Sequence, residues 1–577
     1  MPVSARPASI YEQLLPVLRW LPGYRRDWLL PDVLAGLAIW AVMVPEGMAY
    51  AGIVGVQPIM GLYTIVPPLI AYALLGTSRL LVVGPDTATG LISALTVGAI
   101  AAQGTADFNT LTSTLAVLIG GFFLLFGALR MGWVAAFIPA PVMRGFIEGL
   151  VCVTIIGQVP HLLGIEGPSG NFFVKLWSVL QHLRDISLAP LLTGSLSLIA
   201  MLLLRLLTPR IPAALVVAVA ATILVGLLGG EAAGVSVVGG LPSGLPHLAL
   251  LELDPATLRD LAPGALAIVL VGYAEALGGA KAAATQGGGD IDPNQELIAH
   301  GPANILSGLF GGFLVVGSLS KTSVAIAAGA RTQLANIVAA VFCFLTLVLL
   351  TPLFRGMPHP ALGAIVIAAM LHLSKPGYLR RLLGRSRWEF TTAAVVFAGE
   401  LTLGVLHGIA LGVAVSLLLL IYRTSHPGGA VLGQLPGEEA YRDVHLHPEA
   451  RIFSGLMIWR PDGDLFFASI GRLGEQLKAA LAATHPPPKH VLFDAEAVNL
   501  IDTSACDTLL NLIKELQDQG ITFAFARVRD PVRERMRLGG IDTTVVAIGF
   551  YERVTDGVRA WQQREGVDAT SVEPDGN

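Results

Sequence analysis

Residues 83–89 read VGPDTAT, and residues 315–323 read VVGSLSKTS. Each sits inside an apolar stretch. Each leads from a glycine-containing extended entry into a helix-forming run, TGLISALTVGA and SVAIAAGA. Pro85 suits the start of a helix, where its missing N–H would be unpaired anyway. Asp86 then falls in the first turn, where a carboxylate favours the positive helix end. Ser318 or Ser320 can cap the second run. Two helix N-termini facing each other in mid-membrane would make an anion site from backbone N–H groups and dipoles. Two ordinary helix starts at the membrane surface give the same local pattern.

The surroundings read as membrane. The chain has 577 residues, 54% hydrophobic and only 14% charged, against about 25% charged in a soluble domain. Apolar segments run almost continuously from about 32 to 424, with starts expected near Val33, Gln57, Asp86, Leu111, Ala135, Leu188 and Ile211. After a polar stretch a second set starts near Pro263, Gln295, Ser320, Thr332, Pro360, Trp388 and Gly404. Matching sets of odd number imply inverted repeats, and the two quoted stretches open the third span of each. The first apolar run begins too late for a cleaved signal. Arg19, Arg25 and Arg26 before it favour a cytoplasmic N-terminus. Arg130, Arg144, Arg205, Arg210, Arg380 and Arg423 mark further cytoplasmic ends. The net charge of −4 gives no argument for nucleic acid, and the three cysteines form neither a disulfide framework nor a zinc site.

From about Ala430 the character changes. Polar residues return, and roughly half of all charges fall there. HVLFDAEAV (490–498) and ITFAFARV (521–528) read as buried strands. DTSACDTLLNLIKELQDQG (502–520) reads as an amphipathic helix capped by Asp502 or Ser504, and DPVRERMRLGG (530–540) as another helix. Alternating strands and helices imply an α/β sheet domain. The expected organisation is an N-terminal cytoplasmic segment (1–31), a membrane domain (32–429), a soluble α/β domain (430–565) and a disordered tail (566–577).

VPEGMAYAGIVGVQPIMGLYT (44–64), SRLLVVGPDTAT (78–89), DPNQELIAHGPANILSGLFGGF (292–313) and GSLSKTSVAIAAGARTQLAN (317–336) resemble the sulfate permease, or solute carrier 26, family. NLIDTSACDTLLNL (499–512) resembles the STAS domain that follows its membrane part. The resemblance covers nearly the whole chain in order. It implies fourteen segments in two inverted seven-segment repeats, with half-helices at segments 3 and 10 and an anion site between segments 1, 3, 8 and 10. It also implies a homodimer in the cell (inner) membrane with cytoplasmic termini, and a core domain moving against a gate domain.

Within that frame Tyr50, Asp86, Thr87, Ala88, Ser320, Lys321 and Thr322 are the expected substrate-binding residues. Tyr50 stands one helical turn beyond Glu46, on the same face, where relatives line the anion pocket with an aromatic side chain. Lys321 at a helix N-terminus opposes the dipole and needs a compensating negative group. A bound anion or Asp86 would serve, Asp86 holding Lys321 while the pocket is empty. Relatives often have Arg here; Lys is a point charge without the bidentate fork. Glu46 replaces a Gln common among exchange-type relatives. A buried carboxylate is costly when ionised and can take a proton, so Glu46 is a candidate for coupling anion to proton entry, or else a static partner of a nearby base. Glu275, the one carboxylate in VLVGYAEALGGAKAAA (269–284), is a second candidate for a proton or a cation.

The reading is secondary transport of a small anion of the sulfate, bicarbonate or dicarboxylate class, coupled to protons. Sodium-coupled bicarbonate uptake or anion exchange is the alternative, and a membrane-tethered regulatory protein the more distant one, with the STAS domain engaging a regulatory partner. No cofactor or metal is expected. No Walker motif, metal cluster or nucleophile–base pair points to an enzyme.

Overall fold

The computed structural model describes residues 15–566, apart from 138, 166, 168–169, 209–211, 230–232, 240–245, 247, 287–288, 375–376 and 542–548. Arg210, the span start expected at Ile211, and residues 1–14 and 567–577 of the terminal segments lie outside the described residues. The chain divides into two compact units, 1–416 and 417–577. The division falls inside a helix that ends at Ser425, ahead of the first strand of the second unit at Gly429.

The first unit is helical apart from two short strands. Its first half comprises α1 (Leu29–Val54), α2 (Pro58–Tyr63), α3 (Val66–Leu75), α4 (Thr87–Gly98), α5 (Ala106–Ala128), α6 (Ala140–Leu163), α7 (Phe172–Gln181), α8 (Leu188–Leu207) and α9 (Ala213–Leu227). Its second half comprises α10 (Pro255–Ala284), α11 (Pro293–Leu309), α12 (Leu319–Ala327), α13 (Leu334–Leu345), α14 (His359–Leu373), α15 (Gly377–Arg385), α16 (Arg387–Leu403) and α17 (Val405–Ser425). Among the described residues, six helical stretches of 18 residues or more are long and apolar enough to cross a membrane. Leu206 on α8 and Leu227 on α9 stay 78% and 80% exposed, which suits a lipid solvent rather than water.

Local chemistry sets the helix ends. Asp292 caps α11 by accepting from the Asn294 and Gln295 N–H groups, with Pro293 in the first turn. Asp254 does the same for α10 ahead of Pro255. This corrects the start expected near Pro263: the capped Pro255 turn nucleates the helix earlier, and Pro263 lies inside it. α5 and α11 pack closely because glycines remove side chains from the crossing. A Cβ on Gly120 would lie 2.6 Å from the Gly301 carbonyl oxygen, and one on Gly308 would lie 2.4 Å from that of Ser113.

The second unit is an α/β sheet domain. Its strands are β3 (Gly429–Gln434), β4 (Tyr441–Asp443), β5 (Leu456–Pro461), β6 (His490–Asp494), β7 (Thr522–Ala526) and β8 (Phe550–Tyr551), the two strands of the first unit being β1 and β2. They lie in the order β4-β3-β5-β6-β7-β8. The run from β5 to β8 is parallel, whereas β3 pairs antiparallel with β4 and β5. α18 (Ile470–Ala483), α19 (Thr503–Asp518) and α20 (Asp530–Leu538) follow β5, β6 and β7, and α21 (Val554–Glu565) closes the domain. Trp459, Phe493, Phe523 and Phe525 fill one face of the sheet with Leu477 and Leu509 from the helices. Asp502, not Ser504, caps α19, accepting from the Ala505 N–H at 2.7 Å.

Candidate anion site

β1 (Val82–Gly84) and β2 (Val316–Ser318) pair antiparallel, Val82 opposite Ser318 and Gly84 opposite Val316. Each strand leads directly into a short helix, α4 of 12 residues and α12 of 9. At 1.5 Å per residue these span about 18 Å and about 14 Å, too short for a hydrocarbon core of about 30 Å. The strands run antiparallel, so the two helices start beyond opposite ends of a ladder about 7 Å long. The paired, Gly-containing entries expected from VGPDTAT and VVGSLSKTS therefore meet in space.

Buried polar side chains hold the strands. Thr322 Oγ1 accepts from the Val82 N–H at 3.0 Å and donates to the Ser318 carbonyl at 2.6 Å. The Asn304 amide bonds both the N–H and the C=O of Val315, each at 2.9 Å. Gln333 and Asn336 both donate to the Leu81 carbonyl. Farther out, Glu296 accepts from Tyr72 and from the Thr77 and Ser78 N–H groups, and Asp32 from Thr332 and the Arg331 N–H. Irregular backbone in an apolar interior needs such partners. These residues were missed in the sequence. Asn304, Gln333 and Asn336 lie in motifs quoted above, and a buried amide within an apolar run is the signal that marks them.

The two helix ends differ. Asp86 is the N-cap of α4 and accepts from the Ala88 and Thr89 N–H groups at 2.8 and 3.2 Å. The helix thus starts later than expected: Pro85 precedes it, and Asp86, expected in its first turn, is the cap before it. The Ala88 N–H, expected to meet substrate, is taken by the protein's own carboxylate. At α12 Ser318 occupies the cap position, but neither it nor Ser320 bonds the helix N–H groups; their hydroxyls bond each other at 3.1 Å. Ser320 is exposed and Thr322 is spent on the strands. The positive end of α12 is therefore left without a side-chain cap.

Lys321 rises from that end. It is 1% exposed, its Nζ donates to the Pro85 carbonyl at 2.9 Å, and it lies 3.4 Å from Glu46 Oε2. Its ammonium stands 5.0 Å from the centre of the Tyr50 ring, a cation–π contact. This corrects the pairing expected between Lys321 and Asp86. Asp86 is held by its own helix, and Glu46, reaching across from α1, is the acid beside the lysine. Glu46 Oε2 is buried and makes no hydrogen bond among the described residues. Tyr50 lies beside Thr87, and both are buried. Glu275 on α10 is half-buried, within electrostatic reach of Asp86 and Lys321. Glu46, Tyr50, Asp86, Thr87, Glu275 and Lys321 thus converge from α1, α4, α10 and α12. Gly84 admits the lysine stem and Met43: a Cβ there would lie 2.4 Å from Met43 Cε.

The sulfate permease family model matches residues 29–396, and the STAS domain model matches 447–557. The chain belongs to the sulfate permease family. It is 34% identical to a probable sulfate transporter of Mycobacterium tuberculosis over 94% of this chain and 98% of that one. It is 30% identical to the chloroplastic sulfate transporter 4.1 of Arabidopsis thaliana, covering 96% and 83%. Among solved structures, the murine solute carrier 26 family member A9 anion transporter in its inward-facing state aligns with a TM-score of 0.88 at 24% identity, over 97% of this chain and 96% of that one. The transmembrane domain of a cyanobacterium bicarbonate transporter aligns at 0.60 and 22% identity, over 67% and 98%. As in the first of these folds, a helical membrane domain precedes an α/β STAS domain in this sulfate permease chain.

Proposed function

We propose that the protein carries a small anion of the sulfate, bicarbonate or dicarboxylate class across the cell membrane together with a proton. The relatives named for sulfate and bicarbonate transport support the substrate class. The observation that carries the mechanism is the Lys321–Glu46 pair, at 3.4 Å and only 1% and 6% exposed. An ammonium held that far from water needs a negative neighbour. In the empty site Glu46 is that neighbour. An arriving anion takes over the role, and a proton arriving with it at Glu46 relieves the repulsion between two negative groups beside one lysine. Anion and proton therefore enter together. Asp86 already fills the α4 end, so the anion sits at the uncapped α12 end, against Lys321, with Tyr50 and Thr87 at its flank.

The same six side chains come from helices that a core domain would carry past a gate domain, with transport by a homodimer in the inner membrane and both termini cytoplasmic. A second reading rests on Glu275. Glu46 lies beside Lys321, and Glu275 is within electrostatic reach of both Lys321 and Asp86; a sodium ion near Glu275 and Asp86 would relieve that excess of carboxylates as a proton does. Exchange without a coupling ion is the remaining alternative. Purified protein in liposomes, given labelled sulfate, bicarbonate and dicarboxylates under separate proton and sodium gradients, tests the proposal. Accumulation driven by the proton gradient alone supports it. Accumulation that requires sodium moves the coupling to Glu275 and Asp86.

A further inference from the structure

Residues 377–388 read GYLRRLLGRSRW, with four arginines and no carboxylate. The transport reading does not use them. They form α15 (Gly377–Arg385) and the start of α16 (Arg387–Leu403). At 1.5 Å per residue α15 spans about 14 Å, too short to cross a hydrocarbon core of about 30 Å. It is amphipathic. Leu379, Leu382 and Leu383 fall on one side at helical spacing, Arg381 and Arg385 on the other, and Arg380 at the boundary. α15 packs against α16, and Leu382 is buried. The rest of the apolar side is uncovered: Leu383 stays 51% exposed, and Trp388 in the first turn of α16 stays 56% exposed. Exposed leucine and tryptophan among arginines suit the boundary between acyl chains and headgroups, where the apolar face sinks in and the guanidiniums reach out.

The positive charge there is uncompensated. Arg380, Arg381, Arg385 and Arg387 are exposed and make no ion pair or side-chain hydrogen bond among the described residues. The acids on either side have other roles. Glu389 stands in the first turn of α16, where its N–H donates to the Ser386 cap. Glu148 of α6 accepts from the Ser374 hydroxyl at 2.6 Å. A fifth guanidinium joins from another part of the chain: Arg144, in the second turn of α6, lies 5.4 Å from the centre of the Tyr378 ring. Stacking on the ring fixes the plane of the guanidinium and leaves its edge N–H groups to donate.

We propose that α15 lies in the membrane interface and docks an anionic phospholipid, whose headgroup phosphate is taken by Arg144 and the arginines of α15. Guanidinium forks match phosphate oxygens in geometry as well as charge. A zwitterionic headgroup would bring its own cation to the same place, so the site selects net negative charge. The occupant is a lipid rather than a free oxyanion, because Leu383 and Trp388 offer an apolar contact that an acyl chain uses and a small ion does not. α14 and α16 both pack on α6, so a lipid held here bridges the ends of helices far apart in sequence.

The test uses purified full-length protein in phosphatidylcholine mixed micelles, with phosphatidylglycerol carrying a photoactivatable group at its headgroup. Labelling is expected to saturate, to fall within residues 377–388, and to be displaced by unlabelled phosphatidylglycerol but not by added phosphatidylcholine or inorganic phosphate. Arg380→Gln/Arg381→Gln/Arg385→Gln is expected to lose at least about tenfold in affinity at this segment, with an unchanged unfolding temperature in phosphatidylcholine micelles, since the three side chains are exposed and unpaired. Wild type left unlabelled at 377–388 overturns the proposal. So does equal displacement by phosphatidylcholine, which shows a site for any lipid, or displacement by inorganic phosphate, which shows a free-ion site. A folded triple variant labelled as strongly as wild type overturns it too. The mapping and the competition are read on wild type and stand whether or not the variant folds.

Discussion

Two ion pairs of this protein, one in each unit, have opposite construction. In the STAS domain Arg527 lays its fork along Asp494, donating from Nε to Oδ1 at 2.8 Å and from Nη2 to Oδ2, with Asp494 fully buried. Both carboxylate oxygens are bonded, and the Glu496 N–H also donates to Oδ1. In the membrane domain Lys321 and Glu46 lie 3.4 Å apart with no hydrogen bond between them, and the lysine donates instead to the Pro85 carbonyl. The first pair is a fixed joint between β6 and the turn after β7. The second neutralises charge without directional bonding, so another anion can replace the carboxylate with little geometric loss. A bidentate fork selects for permanence, and a point charge permits exchange.

The largest effect should come from breaking the loose pair on its basic side. Lys321→Ala removes the buried ammonium at the α12 end, and anion uptake into liposomes should fall to background. Removing one partner of a buried pair costs about 3–5 kcal/mol, which a proton on Glu46 offsets in part, so the protein should still elute as a folded species. Unchanged anion affinity in this variant would contradict a direct role.

Glu46→Gln should separate coupling from binding. Gln carries no charge to be displaced and no proton to be gained. Wild-type uptake should rise as the external pH falls, since acid loads Glu46 with the proton that accompanies the anion. The variant should lose accumulation against a gradient and lose that pH dependence, while anion exchange persists. If accumulation and its pH profile survive, Glu275 carries the proton, and Glu275→Gln becomes the decisive measurement.

On the tight pair, Asp494→Ala removes the carboxylate along which the Arg527 fork lies and leaves the guanidinium its 2.9 Å contact with Glu496. The STAS domain should lose about 2–3 kcal/mol, read as faster hydrogen exchange along β6 and β7, with anion affinity in the membrane domain unchanged. Thr322→Val is a smaller perturbation. It leaves the Val82 N–H without a partner, at about 1–3 kcal/mol for a buried donor, and loosens the strand pair. Weaker anion binding with Lys321 intact would show that the ladder positions the site. The smallest effect belongs to the exposed Lys478–Glu515 pair of the STAS domain, at 2.6 Å with both side chains nearly half exposed. Lys478→Ala should change stability by less than about 1 kcal/mol, which calibrates the other variants.

Much of this was legible in the residues. Apolar runs interrupted by VGPDTAT and VVGSLSKTS announced two short helices with extended entries, because glycine and proline punctuate a chain locally. Asp86 as an acid at the start of α4 was legible for the same reason, since a cap is decided within four residues. Its partner was not. Asp86 and Lys321 looked complementary in sequence, but a carboxylate already bonded to the N–H groups of its own helix has little reason to reach for a distant ammonium. The strand clamps of Asn304, Gln333 and Asn336 were hidden too: an amide in an apolar run reveals that it needs partners, not which carbonyl is near.

The sequence by itself determined what depends on neighbours along the chain: helix starts, the apolar solvent of the first unit, the alternating strands and helices of the second, and the presence of Glu46, Glu275 and Lys321 where charge is expensive. Only the tertiary structure decided which charges meet. Glu46 and Lys321 are 275 positions apart, from 46 to 321, yet lie within 3.4 Å, because the pairing of β1 with β2 fixes the start of α12 beside α1. Ion pairing falls off over a few ångströms, whereas sequence patterns set only which face of an element a residue takes; distance between elements is a property of the packed whole.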